Sequence, residues 1–309
     1  MEAELVLKIG DFPDDLQRVI DAEFNCLSAD QVLQSETLRT GVRAILTRSN
    51  YTVPQQLLEH LPKLKIIATS GVGYDGIPLA VARQQQVVVT NTPGILDGAV
   101  SELAIGLLLA LLRRIPAADQ FVRYGHWDST AFALTTGLAG KRVGIVGLGR
   151  IGQGIAHRLS AFEVSLGYCG TNPKQVTYDF YDNIRDLAAH SDILVVCCPG
   201  GESTRHLVDA EVLSRLGPSG YLINVSRGSV VDQAALIAAL KNGSLRGAAL
   251  DVFETEPVVD PVLRQLPNTV LSPHAGSATQ ETRYRMLRLA LDNIHRVLGG
   301  QSALTPVGV

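Results

Sequence analysis

Residues Val143 to Gly154 read VGIVGLGRIGQG, and this stretch decides the fold. A short β-branched run ends in three glycines, Gly147, Gly149 and Gly152, spaced G-x-G-x-x-G, and an apolar-periodic stretch from Ile151 to Phe162 follows. The pattern predicts strand, tight turn and helix. Gly147 lets the chain turn sharply, Gly149 lets a pyrophosphate approach the backbone, and Gly152 lets the new helix pack against the strand. The helix start presents N–H groups and a positive dipole end to phosphates. Glycines also mark turns that bind nothing, so the spacing alone is a weak signal. Here a strand precedes it, a helix follows, and a further strand from Val164 to Cys169 completes a βαβ unit, which points to dinucleotide binding.

Working outward, the series begun at Lys141 continues with strands near Ile193 to Cys197, Tyr221 to Val225, Ala248 to Val252 and Val270 to Leu271. An earlier series alternates in the same way. Its strands are Leu5 to Ile9, Ala44 to Thr47, Leu64 to Thr69 and Val87 to Val89; its helices are Pro13 to Phe24, Val53 to Leu61 behind a Thr52 cap, and Ile77 to Gln85. Such alternation specifies an α/β protein with parallel sheets covered on both faces. Two doubly wound domains are expected: a flavodoxin-like one from residues 1–97 and 281–309, and a Rossmann one from residues 98–280, joined near Pro93 to Asp97. Asp97 is expected to cap a long helix that reaches about Ile115, with Pro116 following. From Ala117 to Gly140 the periodicity fades, leaving a surface arm, a linker or an oligomer contact open. The last helix, Glu281 to Leu298, carries Leu287, Leu291, Ile294 and Leu298 on one core-facing stripe.

The 309 residues are 46% hydrophobic and 18% charged with a net charge of −3, a globular composition with no basic excess. Nucleic acid and anionic membrane are therefore not expected partners. The start, MEAELVLKIGDFPDD, is not a secretion signal. The longest apolar run, Leu103 to Leu112, is half the length needed to span a bilayer and reads as a buried helix. Cys26, Cys169, Cys197 and Cys198 form neither a metal pattern nor a disulfide framework, so no metal is expected, and reduced thiols in the cytoplasm are the plain reading.

The residue closing the second strand of a dinucleotide site separates the two nicotinamide coenzymes, because an acid there bonds the ribose 2′-hydroxyl and repels a 2′-phosphate. Here the stretch is Tyr168-Cys169-Gly170-Thr171-Asn172-Pro173-Lys174, with no carboxylate before Asp179. Thr171 and Asn172 can donate to a phosphate and Lys174 adds a positive charge. NADP is favoured over NAD, although a polar turn with a solvated lysine would read the same way.

Ligands of open parallel sheets sit beyond the carboxyl ends of the strands. Three such ends carry reactive side chains: Arg227 after LINVS, Glu256 after ALDVFET and His274 after TVLSP. An arginine fork holds a carboxylate and carbonyl, a histidine donates a proton near neutral pH, and a neighbouring carboxylate stabilises the imidazolium. That set suits reduction of a 2-oxo acid. Singly, each also has an ordinary reading, as a surface ion pair, a solvated loop acid and a satisfied loop histidine. The other histidines, His206 among them, lie on helices or polar loops without such a setting.

With SGVGYD at Ser70, NTPG at Asn91, SELAIGLLLALLRR at Ser101, VGLGRIG at Val146, NVSRGSVVD at Asn224, ALDVFETEP at Ala249 and PHAGSAT at Pro273, the chain resembles the D-2-hydroxyacid dehydrogenases nearly end to end. Within them it is most similar to NADPH-linked glyoxylate/hydroxypyruvate reductases and hydroxyphenylpyruvate reductases. The resemblance implies a substrate-binding first domain and Arg227, Glu256 and His274 as catalytic set, His274 being the acid. It implies that the N–H groups of Val72 and Gly73 receive the substrate carboxylate, with Arg227 and His274 also on the substrate. Coenzyme contacts are implied at Leu148, Gly149, Arg150 and Ile151 for the pyrophosphate and at Gly170, Thr171 and Asn172 for the adenosine ribose. Cys198, Pro199, Val225, Ser226, Asp251 and Gly276 complete the set, Asp251 as acceptor for the nicotinamide carboxamide.

Homodimers with swapped arms are usual in the family. Related NADP users often carry arginine where Thr171 stands, which keeps NADH use open. Glu256 argues against formate dehydrogenase activity, where glutamine partners the histidine. The expected reaction is reduction of a small 2-oxo acid such as glyoxylate or hydroxypyruvate to the D-2-hydroxy acid. Hydroxyphenylpyruvate reduction and a non-enzymatic dinucleotide-sensing corepressor are the alternatives. The loop Arg48-Ser49-Asn50-Tyr51 is expected to border the substrate pocket.

Overall fold

The computed structural model describes residues 4–308. By internal contacts the chain forms two compact units, one from residues up to Leu96 together with those from Thr279, the other spanning Asp97–Ala278.

The first unit holds five strands: β1 (Leu5–Lys8), β2 (Asn25–Leu27), β3 (Ala44–Arg48), β4 (Ile66–Ser70) and β5 (Val88–Thr90). They run parallel in the order β2-β1-β3-β4-β5, the flavodoxin-like arrangement. Strand periodicity sorts the side chains into two cores. Val6, Ala44, Leu46, Ile66 and Ala68 pack on one face with Leu287, Leu291 and Ile294 of the helix Gln280–Leu298. Leu7, Ile45 and Ile67 pack on the other with Leu57, Leu58 and Ile77. Pro306 and Val307 lie along the sheet edge beside β5, where Val307 N–H donates to the Val89 carbonyl at 2.8 Å.

Several details differ from the sequence expectation. β2 is an additional edge strand, and the helices Ala29–Leu33 and Glu36–Gly41 follow it, capped by the Ser28 and Ser35 hydroxyls. Thr52 caps nothing: the helix behind it is Gln55–Glu59, with Pro54 at its cap position and no side-chain bond there.

The second unit holds β6 (Arg142–Val146), β7 (Ser165–Cys169), β8 (Asp179–Tyr181), β9 (Ile193–Val196), β10 (Tyr221–Asn224), β11 (Gly247–Leu250) and β12 (Thr269–Leu271). All pair in parallel in the order β12-β11-β10-β9-β6-β7-β8, a Rossmann sheet with one added strand. The direction of winding reverses between β6 and β9, so the carboxyl ends of those strands open the crevice. Residues of β9 and β10 are buried throughout, as strands covered on both faces require.

The long helix spans Asp97–Leu112, with Leu107, Leu108, Leu111 and Leu112 buried. Asp97 is its first helical residue rather than an external cap. It stops short of Ile115 because Arg114 turns left-handed at φ 50°, and a separate helix, Ile115–Arg123, begins there. Pro116 thus opens a helix instead of following one, since a first-turn proline sacrifices no hydrogen bond. Among the described residues no helix is long and apolar enough to cross a membrane.

Candidate active site

The glycine turn is built for a close ligand. Gly147, at φ 96°, lies so near Cys198 that a Cβ there would stand 2.6 Å from the Cys198 Cα. A Cβ on Gly152 would stand 2.2 Å from the Gly147 carbonyl oxygen, so the turn and helix close on each other. Gly149 instead faces open space and occupies the cap position of the helix Arg150–Leu159. Beyond it, the first-turn N–H groups of Arg150 and Ile151 have no intrahelical acceptor. Leu148 is buried beside them. The turn fits a dinucleotide pyrophosphate.

At the end of β7, Thr171, Asn172 and Lys174 are exposed, while Lys174 N–H donates to the Tyr168 hydroxyl at 2.6 Å and fixes the turn after Gly170. Cys198 and Pro199 follow β9. The Ser226 hydroxyl donates to the Cys198 carbonyl, tying the loop after β10 to the loop after β9. Val225 is buried beneath. Asn224, which the sequence reading passed over, shapes this turn: its Oδ1 accepts Ser226 N–H at 3.0 Å and its Nδ2 donates to the Arg227 carbonyl at 3.0 Å.

The strand ends bring the three reactive side chains of this unit together. His274 Nδ1 lies 2.6 Å from Glu256 Oε2, while Phe253 N–H donates to Glu256 Oε1 at 3.1 Å. Burial pushes the Glu256 carboxyl up, but the bond and charge of His274, the Phe253 N–H and the Arg227 guanidinium outweigh it and hold the group below its ordinary value. Glu256 is therefore a carboxylate at neutral pH and can only accept. Its partner Nδ1 must carry a proton, which leaves Nε2 as the working nitrogen. Arg227 packs its stem over Gly200, where a Cβ would stand 2.6 Å from the Arg227 Cγ, and its Nη1 donates to the Ser226 carbonyl at 2.9 Å.

The His274 loop is held from below. Asp251, 2% exposed, accepts from Ala275 N–H at 2.7 Å and Gly276 N–H at 2.8 Å. His206 also has a setting the sequence did not disclose: its Nε2 lies 2.6 Å from Glu254 Oε1, two residues before Glu256.

In the first unit, Val72 and Gly73 form the turn after β4. Asn91 Nδ2 donates to the Val72 carbonyl at 2.8 Å, and the Thr305 hydroxyl donates to the Asn91 carbonyl at 2.6 Å. Among the described residues neither Val72 N–H nor Gly73 N–H is committed to an acceptor.

Residues 105–276 match the family model described as D-isomer specific 2-hydroxyacid dehydrogenase, NAD binding domain. The chain belongs to that family. It is 45% identical to glyoxylate/hydroxypyruvate reductase A of Arabidopsis thaliana, across 99% of this chain and 100% of the relative. It is 46% identical to the hydroxyphenylpyruvate reductase of Plectranthus scutellarioides over the same shares. The crystal structure of the NADPH-dependent glyoxylate/hydroxypyruvate reductase of Sinorhizobium meliloti, in complex with NADP and malonate, is 41% identical and superposes with a TM-score of 0.94, covering 99% of this chain and 97% of that one. This dehydrogenase is thus an enzyme with two parallel-sheet α/β domains, one of them a Rossmann domain for a nicotinamide dinucleotide. The corepressor reading falls away.

Proposed function

We propose that this dehydrogenase uses NADPH to reduce small 2-oxo acids, glyoxylate and hydroxypyruvate foremost, to 2-hydroxy acids, achiral glycolate from glyoxylate and the D acid wherever C2 becomes a stereocentre. The observation that carries the reading is the 2.6 Å contact between His274 and Glu256 at adjoining strand ends, with the Arg227 charge beside it. The coenzyme, when bound, supplies a hydride to C2 of the substrate. The protein's own groups do the rest. Glu256 orients the imidazole and stabilises its protonated form, His274 Nε2 delivers the proton to the substrate oxygen, and Arg227 polarises the carbonyl and holds the carboxylate. One 2-oxo acid, one hydride and one proton give one 2-hydroxy acid. In the first unit, the N–H pair of Val72 and Gly73 suits a carboxylate.

Coenzyme contacts are proposed at Leu148, Gly149, Arg150 and Ile151, at Gly170, Thr171, Asn172 and Lys174, and at Cys198, Pro199, Val225, Ser226 and Gly276. Asp251 keeps this role only through lone pairs left over from its two backbone bonds. The exposed Thr171, Asn172 and Lys174, with no acid among them, support NADPH over NADH. Exposed apolar groups on the stretch after the long helix, among them Tyr124, Trp127 and Leu134, support a homodimer formed there. Four free cysteines fit the reducing cytoplasm.

The test is oxidation of NADPH on addition of glyoxylate or hydroxypyruvate, followed by absorbance and by chiral analysis of the product. No turnover with either acid, or an L product from hydroxypyruvate, overturns the proposal.

A further inference from the structure

The proposed function leaves open what receives the end of the substrate away from its C1 carboxylate, and the first unit carries an answer. Its sheet order β2-β1-β3-β4-β5 reverses direction between β1 and β3, and ligands of open α/β sheets occupy the crevice at such a switch point. The loops meeting there are Gly10–Phe12 and Arg48–Tyr51. Arg48, the last residue of β3, places its guanidinium carbon 5.9 Å from the ring centres of both Phe12 and Tyr51, and its Nη1 donates to the Asp11 carbonyl at 2.7 Å. Tyr51 lies flat against Gly10, where a Cβ would stand 2.5 Å from the ring.

Held by two rings and one carbonyl, the guanidinium has little freedom to lose on binding. Its positive charge is paired with no carboxylate among the described residues. The carboxylate-binding turn is next door. Arg48 stands in register with Ser70 on β4, and Gly71 sits against Ser49, where a Cβ would be 2.4 Å from the Ser49 hydroxyl oxygen. No side chain on Gly71 separates the Arg48 loop from Val72 and Gly73.

We propose that Arg48 is a specificity residue that receives a second carboxylate on the substrate, so that the enzyme favours 2-oxo diacids over 2-oxo monoacids of equal length. An arginine fork forms two parallel charge-assisted bonds with a carboxylate, which neither a methyl nor a single hydroxyl can replace. The inference rests on the proposed reduction of 2-oxo acids.

The experiment compares kcat/KM for two matched pairs, oxaloacetate with 2-oxobutyrate and 2-oxoglutarate with 2-oxopentanoate, in wild type, Arg48→Gln and Arg48→Lys. The wild type should prefer the diacid of at least one pair tenfold or more. Arg48→Gln should erase that preference through KM, and Arg48→Lys should restore part of it. Equal use of diacid and monoacid by the wild type, or a preference that survives Arg48→Gln, overturns the assignment. A titration of wild type and Arg48→Gln, each with NADP, using succinate and butyrate separates the two ideas. Succinate binding weakened tenfold by the substitution supports the Arg48 site even if no 2-oxo acid turns over, an outcome that would refute the proposed function alone. Succinate binding that is no tighter in wild type than in the variant refutes the Arg48 site.

Discussion

Asp251 holds the His274 loop in place by accepting three of its backbone N–H groups in a row. The Asp251 carbonyl accepts His274 N–H at 2.8 Å, while its carboxylate takes the next two N–H groups, Ala275 and Gly276, one on each oxygen. His274 itself sits at φ 52°, a left-handed conformation that costs a non-glycine residue free energy and persists only where the surroundings enforce it. Buried hydrogen bonds to a charged acceptor contribute about 1.5–3 kcal/mol each. Asp251→Ala should therefore lower stability by roughly 3 kcal/mol or more, and kcat should fall beyond what the loss of folded protein explains. Denaturant unfolding and active-site-normalised turnover measure both.

His274→Asn is the sharper probe of the proton donor, because asparagine tolerates the left-handed backbone and alanine does not. Reduction should fall by about 10²- to 10⁴-fold, the usual worth of a general acid, while NADPH affinity stays similar. Turnover near wild type in this variant would remove His274 from the chemistry.

Glu256 is held below its ordinary carboxyl value, so it stays ionised through neutral pH and protonates only as pH falls beneath the usual carboxylate range. Activity that depends on its charge should persist through mild acid and drop only beneath the usual carboxylate range. Glu256→Gln, which keeps the shape and loses the charge, should lower kcat/KM roughly 10- to 100-fold, equivalent to about 1.4–2.7 kcal/mol of lost transition-state stabilisation. Its profile should lack that acid limb. Rate profiles carried from pH 9 down past the usual carboxylate range, with folding checked at each pH, decide the matter.

Two glycines of the first turn should respond differently. Gly149 faces open space at φ −77°, so Gly149→Ala should leave thermal stability nearly unchanged and weaken NADPH binding by intruding on the pyrophosphate. In Gly152→Ala the new methyl meets the Gly147 carbonyl, so the melting temperature should fall along with binding. Calorimetry and coenzyme titration on the same preparations separate the two effects.

A pH-dependent tie secures the last helix. Glu23 bonds to His295 at 2.7 Å and to Arg288. Burial raises its carboxyl, yet these bonds and charges outweigh it, leaving the folded value below the ordinary one. A lowered carboxyl stabilises the fold above the unfolded pKa, about 4.3, and the contribution disappears as pH falls through the folded value. Wild type should melt higher than Glu23→Gln at pH 7, and the two curves should converge only once pH has fallen beneath the lowered folded value, where both states are protonated.

The long apolar helices and central strands were legible because their burial pattern is periodic and local. What escaped was short or long-range. β2 and β8, three residues each, are sheet edges too brief to show alternation. The helix Ile115–Arg123 is hidden in the sequence because a proline after a long apolar run signals a helix end as readily as a first turn. The turn Ser28-x-x-Gln31 is a capping box that could have announced the helix Ala29–Leu33. At the site, Arg227, Glu256 and His274 were readable from residue type and strand-end position. Asp251 under the His274 loop and His206 against Glu254 were not, since 23 and 48 residues separate the partners and no spacing rule joins them. The N–H groups of Val72 and Gly73 carry no side-chain signature at all.

The helix Gln280–Leu298 carries Leu287, Leu291 and Ile294 into a core whose other members were made near the start of the chain. During synthesis the Rossmann unit is finished first and can fold on its own segment, whereas the flavodoxin-like unit must wait, with one face of its sheet uncovered, until the last segment emerges. A nascent chain stalled just after Ala278 would thus display a folded coenzyme half and an incomplete substrate half, the form most exposed to chaperones and proteases.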